Sequence, residues 1–371
     1  MSVVSENPYV ASMLPRVVDV GDGSGRIRGI CRGRQLGVQI LEAVEAYRQL
    51  FQALGGIPDL EQLVAESRMK TEDWWPSGAE EIDGIAEGSG VDTLSIWTLN
   101  CRTELLAEIR RRSGVAALGE CSVAIHTESP TVGIQTWDWH EHMAGIWHPI
   151  RSHGGIHNWC GITEAGILAK IGVNSSGLGL HLDILFHNAD RAGGVPIHVV
   201  AARVLAEAGS VEEAVEIVRS AGVSASSALS VHDGISAASI EVSRAGVEVV
   251  RPEKGWLIHT NRFRSPKLKE NERNDVSGAE GIQDAVARER KLLDRVDGHD
   301  PISSTSHLLK LLESDFLDED EGWLSCVPKS TTDFGDRWHT LVTIITRPDQ
   351  GALEYKAGLP AGQASLRVLK I

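Results

Sequence analysis

A cysteine at the point where the sequence changes character is the first candidate for chemistry. Residues 118–126, LGECSVAIH, end a polar, glycine-broken stretch and begin an alternating run at Cys121. If the Glu120–Cys121 bond is cut, the thiol lies beside its own α-amine, whose pKa is ordinarily about 7.7 to 8.0. The neutral amine can then serve as a general base, so the nucleophile needs no separate histidine. The sequence around Cys121 therefore allows nucleophilic attack on a carbonyl carbon.

Two polar residues downstream could support such a nucleophile. Attack on a carbonyl creates an oxyanion that needs fixed hydrogen-bond donors, and the amide of Asn261 in HTNRF is a suitable uncharged donor. Asp138 lies between two tryptophans in GIQTWDW. Either residue could instead satisfy backbone groups in a turn, and most free cysteines are inert core groups. The three residues are candidates because they occur together.

A group of histidines supports a rival hypothesis, a zinc hydrolase, because imidazole is the commonest metal ligand. The HxExH helical spacing is absent, however, and Pro149 and Gly154-Gly155 interrupt the segment. We therefore expect a loop over the site that shapes an acyl or amine pocket, with no metal and no cofactor. The histidines are His140, His142, His148, His153 and His157.

Composition excludes several classes of partner. The formal charge of −15 argues against a nucleic-acid or anionic-membrane surface, since such partners require basic patches. Five cysteines without a CxxC pair are typical of reduced thiols in a cytoplasm. The first residues lack the basic and apolar regions of a signal peptide, and no apolar run approaches the roughly 20 residues of a membrane span. We expect a soluble, cytoplasmic protein.

Hydrophobic periodicity predicts an α+β protein. Residues 1–120 are mainly helical, with an apolar stripe over 35–54, a helix near 60–68, a short acidic helix, and one long helix from Asp92 to the basic residues 110–112. From Cys121 onward, antiparallel sheets covered by helices are expected, and 1–120 and 121–371 should form one folded unit. The predicted strands are 122–127, 131–137, 159–163, 167–173, 178–185, 228–232, 238–243, 247–251, 256–260, 338–346 and 352–356, and the predicted helices are 196–208, 211–221, 279–297 and 304–314.

Several motifs, in order over residues 29–358, resemble one known family. They are GICRGRQLG, EEIDGIAEGSGVDTLSIWTLNCRTEL, GIQTWDWHE, LAKIGVNSSGLGL, ISAASIEVS, IHTNRF and TLVTIITRPDQGALEYKAGLP. The pattern is similar to that of the acyl-coenzyme A:6-aminopenicillanate acyltransferase family of N-terminal nucleophile hydrolases. The chain departs from it at Glu120, where Gly is usual, at Ser122-Val123, where two hydroxyl residues are usual, and at Thr136, where Asn is usual.

The resemblance implies a precursor that cleaves itself before Cys121, giving a small subunit of residues 1–120 and a catalytic segment of 121–371 with a four-layer αββα core. It also implies that Cys121 is the nucleophile, that Asp138 supports the amino-terminal site and that Asn261 contributes to the oxyanion hole. We further expect substrate contacts from Ser122, Trp137, Trp139, His140 and Asn174.

The function expected from this resemblance is amide hydrolysis or acyl transfer on a small N-acyl amine through an acyl-Cys121 thioester. Hydrolysis is favoured slightly over transfer from an acyl-coenzyme A. The expected partner is a small acyl amide or thioester, and a homo-oligomer of cleaved heterodimers is compatible with the sequence. Two alternatives stay open: a metal-dependent hydrolase that uses the segment from His140 to His157, and a non-catalytic binder with this fold that never matures.

Overall fold

The computed structural model describes residues 7–114, 121–273, 278–297, 304–314, 322–328 and 337–371, with backbone alone at 278–282. Its helices are α1 Pro8–Ser12, α2 Gly25–Ala53, α3 Leu60–Trp74, α4 Pro76–Ser89, α5 Thr93–Asn100, α6 Arg102–Ser113, α7 Ile197–Glu207, α8 Val211–Ser220, α9 Pro266–Lys269, α10 Gly278–Val296 and α11 Thr305–Leu311. Its strands are β1 Val18–Val20, β2 Ser122–His126, β3 Val132–His140, β4 Trp147–Ser152, β5 Trp159–Glu164, β6 Ile171–Asn174, β7 Gly179–Ile184, β8 Ser227–His232, β9 Ala237–Ser243, β10 Gly246–Val250, β11 Trp256–Thr260, β12 Trp338–Arg347, β13 Ala352–Ala357 and β14 Arg367–Lys370. Short 3-10 helices cover Glu141–Met143 and Pro348–Gln350.

The strands form two sheets. One has eight strands in the order β1-β4-β5-β6-β7-β8-β9-β10, and the other has six in the order β11-β2-β3-β12-β13-β14. Every neighbouring pair is antiparallel except β1 and β4, which run parallel. The sheets pack face to face, with α7 and α8 against the larger sheet and α10 against the smaller. The predicted α+β class and four-layer αββα arrangement are therefore confirmed.

The N-terminal helices are longer and more broken than their sequence pattern predicts. Helix α2 begins at the Ser24 cap, well before the apolar stripe. A Cβ at Gly25, Gly29 or Gly33 would overlap carbonyl oxygens of α4, so this glycine repeat lets α2 and α4 pack closely. The helix expected from Asp92 onward begins at that cap but divides at Cys101 into α5 and α6.

Side chains of these helices bind the backbone of the catalytic segment. Arg32 donates to the carbonyl oxygens of Ile167 and Leu168, and Asn100 accepts from the amide of Leu168 at 3.0 Å. A strand expected from residue 167 therefore begins only at Ile171, because side chains, rather than a neighbouring strand, satisfy the preceding backbone groups. One hydrophobic cluster contains buried residues from both segments of the chain.

The histidine-rich segment is not a loop over the site, so that expectation was wrong. Residues Trp147–Ser152 form β4, which pairs with β1 on one side and β5 on the other. The pairing places His148 in the interior, where burial lowers the pKa of its imidazole to about 3. Within the described ranges, no group of three or more His, Cys, Asp or Glu side chains is arranged to hold a metal ion. In the same part of the chain, no helix is long and apolar enough to cross a membrane.

Candidate active site

Cys121 lies immediately before β2 and is 7% exposed. The register of β2 with β3 pairs Ser122 with Thr136, which brings Cys121 beside Asp138. The thiol Sγ donates to the carbonyl oxygen of Asp138 at 3.7 Å. Burial, then the nearby carboxylates of Asp138 and Asp183, raise the pKa of this thiol far above its ordinary value. The thiol is thus protonated at neutral pH and needs a base to become a nucleophile.

The carboxylate of Asp138 is held by hydroxyl groups on its own strand and the next. Thr340 of β12 donates to Oδ1, and Thr136 of β3 donates to Oδ2 at 3.4 Å. The hydroxyl of Thr340 is itself oriented, because it accepts from the amide of Cys326 at 2.8 Å. Thr136, which stands where the family usually has Asn, therefore contacts the same carboxylate.

Asn261 follows the end of β11, and the pairing of Thr260 with Ser122 places it next to the cysteine. Its Nδ2 donates to the carbonyl oxygen of Ile184 at 3.0 Å. A carboxamide nitrogen carries two hydrogens, so the second can be directed at an oxyanion. Its Oδ1 accepts from Arg288 at 3.2 Å. This contact orients the carboxamide, so that its nitrogen lies on the opposite side from Arg288.

Arg288 of α10 is a site residue that the sequence analysis missed. Its buried guanidinium donates to the carbonyl oxygen of Cys121 at 2.6 Å, to Ser122 Oγ at 3.1 Å and to Asn261 Oδ1. Its Nε donates to Asp284 Oδ2 at 2.6 Å. A signal was present in the sequence, because Arg288 falls on the apolar stripe of α10, where a buried arginine requires fixed partners.

The cysteine lines a small cavity. Its lining is aromatic and aliphatic, with a few charged groups. Five of the predicted site residues meet there: Cys121, Trp137, Asp138, Trp139 and Asn261. The other lining residues are Arg102, Lys170, Ile171, Leu182, Ile184, His198 and Trp338.

Three predicted substrate contacts do not line the described part of this cavity. Ser122 is fully buried and accepts a hydrogen bond from Arg288. His140 is also buried, and its ring packs 4.6 Å from the ring of Trp338, which does line the cavity. In the described structure these two side chains contact Arg288 and Trp338, respectively.

Asn174, the third, closes the turn between β6 and β7. Its Nδ2 donates to the carbonyl oxygens of Leu205 and Ala208 at 3.1 and 2.8 Å, and its Oδ1 accepts from the amides of Ser176 and Leu178. Both hydrogens of Nδ2 and both lone pairs of Oδ1 are therefore used on backbone groups at the end of α7 and in the turn itself.

A buried imidazole connects the two sheets behind Asn261. His259 of β11 lies 3.0 Å from Glu241 of β9 and 3.4 Å from Asp183 of β7. Burial by itself would lower the pKa of His259, but its interactions with the carboxylates of Asp183 and Glu241 outweigh it and raise the pKa to about 9. The imidazolium is therefore charged at neutral pH and joins the larger sheet to the strand that carries Asn261.

The predicted cleavage bond cannot be placed, because Glu120 lies outside the described residues.

The motif pattern is confirmed by comparison with known families. The model of the acyl-coenzyme A:6-aminopenicillanic acid acyl-transferase family matches residues 126–361, well over half of the chain. The chain belongs to this family. Asp138, Asn261 and Arg288 lie inside the matched segment, whereas Cys121 precedes it. The chain is accordingly a member of a family of enzymes.

Individual relatives cover parts of the chain. The 40 kDa form of acyl-coenzyme A:6-aminopenicillanic-acid-acyltransferase from Emericella nidulans is 32% identical over 208 residues, 55% of this chain and 56% of that protein. The chain thus matches about half the length of this acyltransferase. Penicillin V acylase from Agrobacterium tumefaciens is 14% identical over 68% of this chain and 86% of its own, with a TM-score of 0.45. The Caenorhabditis elegans ortholog of N-acylethanolamine-hydrolyzing acid amidase is 14% identical over 67% of this chain and 100% of its own, with a TM-score of 0.42.

Proposed function

We propose that the chain is a precursor that cuts its own Glu120–Cys121 bond and then acts, through Cys121, on the amide of a small N-acyl amine. The observation that carries the proposal is the meeting of the Cys121 thiol and the Asn261 amide at one cavity, with Arg288 bound to both residues. A nucleophile next to an oriented donor is the arrangement that acyl transfer requires.

The proposed reaction has two steps. The neutral α-amine of Cys121 takes the thiol proton, and Sγ attacks the carbonyl carbon of the substrate while Asn261 Nδ2 donates to the oxyanion. The C–N bond then breaks, the departing amine takes the proton, and the acyl group stays on Sγ as a thioester. In the second step water or another amine attacks the thioester carbon, giving the acid or a new amide and restoring the thiol.

Hydrolysis is slightly favoured over transfer in this proposal. Water is always present at the thioester, whereas transfer needs an acceptor amine bound in the same cavity. An acyl-coenzyme A would load the same thiol, so both donors lead to one intermediate. A cytoplasmic location and an oligomer of cleaved heterodimers stay predictions. The described cysteines are free thiols, which supports the first.

One experiment tests the proposal. The purified protein, with its cleavage state established by denaturing mass spectrometry, is screened against acyl-amines and acyl-thioesters beside a Cys121→Ala variant. We expect turnover and a trapped acyl group on the Cys121 peptide in the wild-type protein alone. Turnover that survives in Cys121→Ala would overturn the proposal, as would a mature wild-type protein that acylates at no residue.

A further inference from the structure

Two cations of the cavity wall have no part in the proposed chemistry. Lys170 and Arg102 line the same cavity as Cys121, although their side chains are only 4% and 2% exposed. The ammonium of Lys170 lies 4.2 Å from the ring centroid of Trp137, and the guanidinium of Arg102 lies 4.3 Å from that of Trp139. Burying a cation is costly unless an anion is paired with it.

The two cations share one carboxylate. Glu164 Oε2 contacts Lys170 Nζ and lies 3.2 Å from Arg102. Its Oε1 accepts from the hydroxyl of Tyr47. The cations Arg102 and Lys170 pull the pKa of Glu164 below its ordinary value against the effect of its burial, so it carries one negative charge at neutral pH. A single carboxylate cannot neutralise two cations.

The other titratable groups next to these two cations supply no second anion. The Cys121 thiol is protonated because its pKa is raised. The Asp138 carboxylate, although it lines the same cavity, is bound by Thr136 and Thr340.

Burial raises the pKa of Glu104, the next carboxyl group near Arg102, to about 8, so it is protonated at pH 7. Burial also raises the pKa of the Tyr47 phenol and lowers that of the His198 imidazole, which keeps both neutral. With Lys170 protonated, the cluster of Lys170, Arg102 and Glu164 therefore carries an excess of one positive charge.

This excess is reduced in part because the ammonium of Lys170 loses its proton more readily than usual. Burial, then repulsion from Arg102, lower the pKa of Lys170 to about 7. An anion bound at Nζ would raise it again, so binding would take up a proton near neutral pH.

We propose that Lys170 and Arg102 bind a carboxylate of the substrate, so that the enzyme acts on N-acyl compounds with a free carboxylate, of which N-acyl amino acids are one class. This inference rests on the proposed function and names its substrate class. The carboxylate can belong to the amine half or to the acyl half, and matched substrates distinguish the two.

The test measures kcat/KM on two pairs that differ in one charge: N-hexanoylglycine against N-hexanoylglycinamide, and glutaryl-p-nitroanilide against pentanoyl-p-nitroanilide. We expect at least a tenfold preference for the acid in one pair, expressed mainly in KM. Lys170→Met should bring that ratio close to one. Lys267→Met, which removes the same charge from an exposed side chain, should leave the ratio as in the wild type.

Equal kcat/KM within both pairs in the wild-type enzyme would overturn the inference, whatever the variant does. So would a Lys170→Met enzyme that is slowed equally on acid and neutral substrates and alkylated more slowly by iodoacetamide, because the lysine would then serve the Cys121 thiolate.

Calorimetry separates a failure of the carboxylate site from a failure of the proposed function. The ligands are the ketone isosteres of the four substrates, in which CH₂ replaces the amide NH. We expect the acid isostere of one pair to bind at least tenfold more tightly than its neutral partner, with proton uptake at pH 7. This holds even if no amide is cleaved. Equal binding within both pairs would overturn the carboxylate site but would leave the proposed function standing.

Discussion

The guanidinium of Arg288 donates to the carbonyl oxygen of Cys121 at 2.6 Å, although the two residues are 167 positions apart in the chain. The same side chain binds the carboxamide oxygen of Asn261 at 3.2 Å. A planar guanidinium can hold both acceptors in one fixed geometry. Helix α10 thereby sets the distance between the proposed nucleophile and the proposed oxyanion donor.

We expect Arg288→Lys to lose roughly a hundredfold in kcat, because a lysine presents a point charge and cannot hold both acceptors, and small misplacements of reacting groups are this costly. The control is Arg290→Lys, an exposed position on the same helix. Steady-state kinetics on verified mature protein makes the measurement. A wild-type kcat in Arg288→Lys would show that the contacts of Arg288 with Cys121 and Asn261 are not needed for turnover.

Maturation should produce two co-purifying fragments of 120 and 251 residues (371 − 120). Cys121→Ala should stay a single chain, because it has no nucleophile to attack the preceding carbonyl. Denaturing mass spectrometry resolves both. An active wild-type protein that runs intact under denaturing conditions would contradict self-cleavage before Cys121.

Asn261→Ala should lose roughly a hundredfold or more in turnover, the usual effect of removing one oxyanion donor. Its fold should survive, because the change shortens a side chain and leaves Arg288 bound to Cys121 and Asp284. Asn271→Ala, at an exposed position, is the matched control. Full turnover in a folded, mature Asn261→Ala protein would reassign Asn261 to a turn.

Iodoacetamide should abolish activity with one label on the Cys121 peptide, and bound substrate should slow the labelling. Dialysis against EDTA should leave the rate unchanged. Activity should fall as the pH drops through the pKa of the α-amine, nominally about 7.7 to 8.0, because the protonated amine cannot accept the thiol proton. Loss of activity with EDTA that zinc restores, together with full activity after alkylation, would favour the metal-dependent alternative.

His259 should make stability depend on pH. Its pKa is about 9 in the folded protein, and about 6.5 is expected in the unfolded chain. The raised pKa means that its contribution is complete below about pH 6.5 and is lost as the pH rises through 9. His259→Gln should therefore lower the free energy of unfolding much more at pH 6 than at pH 10.

Denaturant unfolding at both pH values measures this difference, with exposed His307→Gln as the control. An equal loss at pH 6 and pH 10 would show that the ion pairs of His259 with Asp183 and Glu241 contribute nothing.

Local pattern was sufficient for much of the fold. Alternation and turn residues predicted β2, β3 and most other strands of both sheets to within a few residues, because a half-buried strand repeats every two residues. Strands β1, β4 and β14 were not predicted. Cys121 and Asn261 could also be chosen as candidates from the sequence, since a thiol that can act as a nucleophile and an amide that can donate are properties of the side chains themselves. The order of the motifs then indicated the family.

What could not be read locally depended on partners distant in the chain. Residues 167–170 are not part of a strand, because Arg32 and Asn100 bind backbone groups of Ile167 and Leu168. The histidines around β4 suggested a ligand set as one alternative, but strand pairing fixes β4 inside a sheet, and the described residues contain no group of three or more His, Cys, Asp or Glu that could hold a metal. The position of Arg288 on the apolar stripe of α10 is visible in the sequence, but its role is not. A buried charge is defined by its acceptors, and these become neighbours only when α10 packs on β2.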